Sequence, residues 1–517
     1  MARKVWAYGR ILVGVAALLA VGVITMTVVL KLAHGQDAAQ APTPAPDVAP
    51  QLAELRRLRD EAKDYVAAAA LAEQLLAALP DASQARQQVE YEYGVVALRQ
   101  KDVAKARTLF GDVVATYAAA DFATAPGAAA DPSVLVDDAQ FYLAIMVQDT
   151  QDVVGTVAAY EQLFQQFPDS NRTAQALLRL GGFLAAHDDP NGALQRLEDV
   201  IARFPTSPQA PEAQLHVGIT QLKQARYGEA AAAFEAVVDG WPDSPLAPTA
   251  LQSANRALIH GDLAAWLAAS QDSPTAATRV AWHADGVEAN VSRALTQYAS
   301  APIVPGILLD AINYYQQPGW WMGEGGPKSA ARVVALAEQL LARYSDAPEA
   351  WPASLELANG VATSDPARAL KLVDAALEQA QASQDAARQG TALFNKGCVL
   401  AKQGRLAEAR AAHEAGLQYQ DDPRVTGEER LCIAALLLRE GRKADGLAVY
   451  DQVVADEAYP TDVRAAALLS QAVEAASDPA MCGRLLQDVQ ERFPGTPAAQ
   501  TAKQMGAPMG PSSATTN

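Results

Sequence analysis

The chain has 517 residues, 50% of them hydrophobic but only 6% aromatic, so its apolar content is mostly Ala, Leu and Val, the composition of close-packed helices. A net charge of -18 sets it against phosphate backbones, which excludes nucleic acid as the expected partner. Cys398, Cys432 and Cys482 are odd in number and far apart, which excludes a dense disulfide framework and a C-x-x-C metal pair. They read as small core residues, with one disulfide among them left open.

Residues 1–10 carry Arg3, Lys4 and Arg10, and Ile11 to Leu30 then runs without a charge. At about 1.5 Å per residue that run reaches about 30 Å, the thickness of a bilayer core. Positive charge ahead of the span predicts a cytoplasmic N-terminus, a signal anchor over 11–33 and everything after it on the far side of the cytoplasmic membrane. The alternative is a cleaved export signal, cut near Ala33-His34-Gly35 or Ala39-Gln40-Ala41, which leaves a soluble exported protein. Residues 34–50, with Pro42, Pro44, Pro46 and Pro50, then form a semi-rigid spacer.

A first helical array is expected over 51–270. Its clearest part repeats one phrase, Phe167-Pro168-Asp169-Ser170, Phe204-Pro205-Thr206-Ser207 and Trp241-Pro242-Asp243-Ser244, at an interval of 37 residues. Between the prolines stand a small residue (Gly181, Gly218), an alanine twelve residues on (Ala193, Ala230) and a bulky apolar residue four further (Leu197, Phe234). Each unit reads as helix, turn, helix, stop. The small pair lets two helices cross at about 8 Å, and the bulky residue is expected to fill space against the neighbouring hairpin. Proline ends the second helix, and Asp243-Ser244 and Thr206-Ser207 are expected to cap the next one. Gly94, Ala106 and Phe110 repeat the spacing, a unit with Leu143-Ala144 and Tyr160 follows, and five hairpins are expected before residue 245. Residues 251–270 read as helical, with Gly261-Asp262 as a turn.

Residues 271–328 are expected to be an irregular joint between two arrays, crowded with Trp282, His283, Tyr314, Tyr315, Trp320 and Trp321. A second array is expected over 329–500, with small residues at Gly397, Ala434 and Ser470 again 37 and 36 apart. Residues 501–517 read as a disordered tail.

This pattern resembles the tetratricopeptide repeat, above all in Leu180-Gly181, Leu184, Ala193, Leu197 and Pro205 and in Val217-Gly218, Ala230, Phe234 and Pro242. The longer period and the phrase from Phe204 to Pro208, with its counterpart from Trp241 to Pro245, resemble the periplasmic variant found in the Tol-Pal division coordinator and the outer-membrane barrel-assembly lipoprotein. The resemblance implies an all-α solenoid of helical hairpins, here in the two arrays and behind the one transmembrane helix read above. It implies a scaffold that binds other proteins or peptides in envelope assembly, division or secretion.

No enzyme constellation emerges, and neither a cofactor nor a metal is expected. Gly323 to Ser329 fails the phosphate-loop pattern because Pro327 separates Gly326 from Lys328. The six histidines are scattered singly, and the acidic doublets Asp188-Asp189, Asp421-Asp422 and Glu428-Glu429 read as caps or helix-dipole partners. What remains is a surface. In this family the first helix of each hairpin lines the inner face, so positions three before and one after each small residue are expected in a protein-binding groove: Tyr91 and Val95, Phe141 and Ile145, Leu178 and Gly182, Leu215 and Ile219, Phe394 and Cys398. The alternative is that they pack against their own second helices. Trp320 and Trp321 are expected either as docking aromatics or as part of the joint, and a ligand-binding or enzymatic site within 271–328 stays open.

Overall fold

The computed structural model describes residues 48–81, 83–117, 133–168, 170–272, 281–316 and 329–506, and among these are 23 α-helices and no strand. The span expected at 11–33 and the flanking 1–10 lie outside the described residues, and no helix within them is long and apolar enough to cross a membrane. The chain divides into two units between Arg172 and Thr173.

The first unit holds α1 (Ala49–Asp60), α2 (Tyr65–Ala78), α3 (Gln84–Arg99), α4 (Val103–Tyr117), α5 (Ser133–Gln148) and α6 (Val153–Gln166). The second begins with α7 (Thr173–Ala186), α8 (Pro190–Arg203), α9 (Ala210–Lys223), α10 (Tyr227–Gly240) and α11 (Ala247–Asp272). It continues through α12 (Ala284–Gln297), α13 (Val304–Gln316), α14 (Ala330–Arg343), α15 (Ala350–Val361), α16 (Pro366–Ala382) and α17 (Ala386–Lys402). It ends with α18 (Leu406–Gly416), α19 (Pro423–Arg439), α20 (Lys443–Ala455), α21 (Thr461–Glu474), α22 (Pro479–Arg492) and α23 (Pro497–Gly506). Consecutive helices pack as hairpins, and five of these precede residue 245.

One rule sets the crossing inside a hairpin. A side chain on Gly94 would strike the ring of Phe110 at 2.7 Å, one on Gly181 would strike Leu197 at 2.8 Å, and one on Gly218 would strike Phe234 at 2.5 Å. In each case the bulky residue lies sixteen positions on, and it occupies the notch of its own hairpin. Phe234 also shares a core cluster with Ala254 and Ala257 of the following helix, the neighbouring side on which the sequence placed it. Leu197 and Phe234 are buried to 0% and 1% exposure, so the notch is closed.

The stop is equally regular. Phe167, Phe204, Trp241 and Phe493 end their helices with φ near -130° to -139° and ψ of 50° to 65°. Tyr344, which has no proline after it, adopts φ -136° and ψ 42°. Proline therefore reinforces a geometry that the hairpin packing already requires. After Thr206-Ser207 the next helix is not capped as expected: α9 begins at Ala210 with no side-chain cap, and the backbone turns through Ser207 N–H to Phe204 and Ala210 N–H to Ser207 instead, whereas the Ser244 hydroxyl accepts from Leu246 N–H at 3.2 Å just ahead of α11. Aspartates cap elsewhere, as Asp189 does for α8 and Asp422 for α19.

Three further expectations are corrected. Helix α11 runs unbroken through Gly261-Asp262, because Gly261 gives room to Tyr227 of α10 and the Asp262 carboxylate is satisfied inside the fold. Within 271–328, residues 284–316 form α12 and α13, and one continuous core joins Val237 and Val287 to Ile307, Leu336, Leu357 and Val399. Finally, α23 carries the helical stack six residues into the expected tail, where Ala498, Ala499 and Ala502 close the last core.

Candidate functional site

The expected groove residues divide by unit. In the first unit Tyr91 and Phe141 are buried, with exposures of 9% and 3%. The Tyr91 hydroxyl donates to Asp138 at 3.1 Å, Arg172 donates to the same carboxylate at 3.0 Å, and the Arg172 guanidinium lies 5.7 Å from the Phe141 ring. Burial pushes the Tyr91 hydroxyl well above its ordinary pKa, with the Asp138 charge adding to it. These side chains are spent on one another. Val95 and Ile145, one residue past the small positions, are half-buried.

In the second unit Leu178 is buried, whereas Leu215 and Ile219 are half-buried and pack beside Phe234 of their own second helix and Ala257 and Leu258 of the helix after it. Gly182 faces open space. Phe394 stands edge-on to the His413 ring at 5.3 Å, and burial pushes the Cys398 thiol up to about 11. Cys398, Cys432 and Cys482 are all free thiols. Trp320 and Trp321 lie outside the described residues.

The remaining polar groups near 271–328 form a clamp. Buried Asp262 accepts from the His283 backbone N–H at 2.8 Å and from the Tyr314 hydroxyl at 2.7 Å, and His283 Nδ1 lies 2.6 Å from its other oxygen. One carboxylate thereby ties α11 to the start of α12 and to α13. Its oxygens are occupied by the fold itself.

An open recess forms at the C-terminal end of the second unit, where three successive first helices, α19, α21 and α23, face one another. Leu431, Val463, Ala466, Leu469 and Ala498 line a cavity of about 360 Å³, with Arg424, Glu428, Asp462, Thr501 and Gln504 around it. Arg424 donates to both oxygens of Asp462, at 2.7 and 3.0 Å, while its distance to Glu428 is 3.8 Å. Desolvation works to raise Asp462, but the hydrogen bond and charge of Arg424 outweigh it and hold the carboxyl below the usual range. Glu428 moves the other way: burial raises it, Arg424 opposes, and Asp462 and Asp422 add to the rise. Sequence reasoning missed this site, although Leu431 stands three before Ala434, the same offset that gave the other positions. The doublet Glu428-Glu429 is not a cap: Glu428 borders the cavity and Glu429 is fully buried in α19.

A second hollow of about 590 Å³ adjoins Trp351, whose indole N–H already donates to Ala376 at 3.1 Å and whose ring carries Arg388 at 5.2 Å. Its lining mixes Leu341, Leu372 and Ala375 with Ser345, Asp346, Gln379 and Arg388. No group of three or more His, Cys, Asp or Glu residues is placed to hold a metal ion among the described residues.

Residues 183–245 and 361–423 match the tetratricopeptide repeat family model. No curated protein matches it. Among solved structures it is similar to the C-terminal part of a TPR repeat-containing protein from Cytophaga hutchinsonii, at 13% identity and TM-score 0.37, over 58% of this chain and 98% of that one. It is similar to a tetratricopeptide repeat protein from Parabacteroides merdae at 11% identity and TM-score 0.35, over 62% of this chain and 100% of that one. It is also similar to YrrB, described as a TPR protein with an unusual peptide-binding site, at 16% identity and TM-score 0.27, over 40% of this chain and 91% of that one.

Proposed function

We propose that this chain is a non-catalytic scaffold that holds a segment of another protein between α19, α21 and α23, and that residues 11–33 tether it to the cytoplasmic membrane with its repeats on the far side. The single observation that carries the binding role is the cavity of about 360 Å³, apolar at its floor and polar at its rim, on consecutive first helices. That combination suits a peptide segment, because burial of apolar side chains supplies affinity and the rim supplies orientation. The tether is supported by the uncharged run from Ile11 to Leu30 behind Arg3, Lys4 and Arg10. The periplasmic character of the repeats is supported by the phrase around Pro205 and Pro242 alone.

Crosslinking in intact membranes, followed by identification of the attached proteins, tests the binding role. Ala466→Trp fills the cavity and is expected to remove a crosslinked partner while the helical signal and melting temperature hold; an unchanged set of crosslinks would place the site elsewhere. For the tether, Leu18→Arg with Leu19→Arg is expected to release the chain from alkali-washed membranes. Retention of that variant would sink the anchor.

A further inference from the structure

The cavity between α19, α21 and α23 has an uneven charge balance. It is bordered by two carboxylates, Glu428 and Asp462, and one cation, Arg424. That cation is committed: its two terminal nitrogens meet the two oxygens of Asp462, and such a two-point pair leaves the guanidinium little capacity for a further anion. Glu428 stays 3.8 Å away, with 32% of its side chain exposed at the cavity wall. Burial and the neighbouring carboxylates Asp462 and Asp422 act on it in the same direction, both disfavouring its charge. A half-desolvated carboxylate without a full counter-charge is improved by any ligand that brings a cation. The whole chain, at a net charge of -18, favours approach of the same kind of partner.

We infer that the occupant of this cavity is a basic-apolar peptide segment, in which a lysine or arginine between aliphatic residues meets Glu428 while the aliphatic side chains rest on Leu431, Val463 and Leu469. This rests on the groove reading above and adds to it the sign of the partner's charge. An acidic segment is disfavoured, since it would add a third carboxylate beside an arginine that is already paired.

The test uses full-length protein in non-ionic detergent and three fluorescein-labelled probes of sequence Ser-Ala-Leu-x-Ala-Leu-Ser, where x is lysine, norleucine or glutamate. In fluorescence anisotropy the lysine probe is expected to bind roughly ten-fold more tightly than the norleucine probe, and the glutamate probe more weakly than either. Raising sodium chloride from about 0.05 M to about 0.5 M should narrow the lysine advantage, because the rim is partly exposed. Glu428→Gln, a near-isosteric change, is expected to bring lysine and norleucine binding level. Equal binding of all three probes by the unmodified protein, or a lysine preference that survives Glu428→Gln, would overturn the inference and leave the groove reading standing. Binding of none of them, or binding that persists in Ala466→Trp, would overturn both.

Discussion

The indole N–H of Trp241 donates to the carbonyl of Pro205, 2.9 Å away and 36 residues earlier. The same bond recurs along this edge of the second unit, from the Tyr298 hydroxyl to Pro242 at 3.1 Å and from the Tyr344 hydroxyl to Ala299 at 2.8 Å. Trp241, Tyr298 and Tyr344, each at the end of a second helix, thus reach back to the stop of the hairpin before. Trp241→Phe keeps a ring and deletes the donor. It is expected to lower unfolding free energy by about 0.5–1.5 kcal/mol in urea titration. No change in the transition midpoint would mean that water replaces the bond without loss.

Adjacent glycines should respond to substitution with opposite signs. A methyl group on Gly181 would meet Leu197 at 2.8 and 2.9 Å and the Ala193 carbonyl at 3.3 Å, whereas one on Gly182 meets nothing within 4 Å. Alanine is favoured over glycine inside a helix by about 1 kcal/mol, so Gly182→Ala is expected to stabilise by up to about that amount. In Gly181→Ala the overpacking cost of about 1–3 kcal/mol outweighs the helix gain, and the protein is expected to melt earlier. Thermal melts of the two variants side by side decide the matter, since a rise in both would mean that the notch is looser than Leu197 makes it.

The period of 37 residues and the small-then-bulky spacing were legible because each hairpin must solve the same crossing problem with the same few atoms. Gly181 and Gly218 carry that solution openly. Where the repeat is built differently the signal fails. Gly261 reads as a turn beside an aspartate, yet it is the notch for Tyr227, and Asp262 is spent on His283 and Tyr314. The aromatics of α13 read as a joint because no fixed interval surrounds them, although Tyr314 is 1% exposed and belongs to the continuous core. The cavity at α19 was hidden for another reason. It needs α23, an alanine-rich helix with no repeat mark, and two charged residues of α19 that pattern reading assigns to the surface.

Stability should depend on pH through Glu356 of α15. Burial raises its carboxyl above the usual value, while a hydrogen bond from Gln316 and the charge of Lys402 work against that rise. A carboxyl raised in the folded state binds its proton more tightly there than in the unfolded chain. Its contribution to stability is therefore fully present below the unfolded value, about 4.3, and is lost as pH rises through the folded value. Glu356→Gln keeps an acceptor for Gln316 and removes the charge. The variant is expected to match the parent near pH 4 and to exceed it near pH 7 in urea titration. A variant that gains at acid pH, or loses at neutral pH, would show that the carboxylate is stabilised by its surroundings.

His413 stands where Leu197 and Phe234 stand in their hairpins, sixteen residues after a glycine, and its ring lies over Gly397. Its Nδ1 is 3.5 Å from an oxygen of Glu429 on α19, and the two residues are 1% and 0% exposed. Neither oxygen of Glu429 nor Nδ1 makes a hydrogen bond among the described residues, so the two buried polar groups face each other. Removing one partner should therefore cost more than removing both. His413→Leu, which restores the side chain used over Gly181, is expected to lose about 3–5 kcal/mol by stranding the carboxylate. Adding Glu429→Met, of similar length, should recover most of that loss, because an apolar pair needs no desolvation of charge. The coupling between the two changes, taken from urea titrations of the parent, both single variants and the double, measures the pair directly. Costs that simply add would mean that the imidazole fills the notch as a shape and that its contact with Glu429 plays no part.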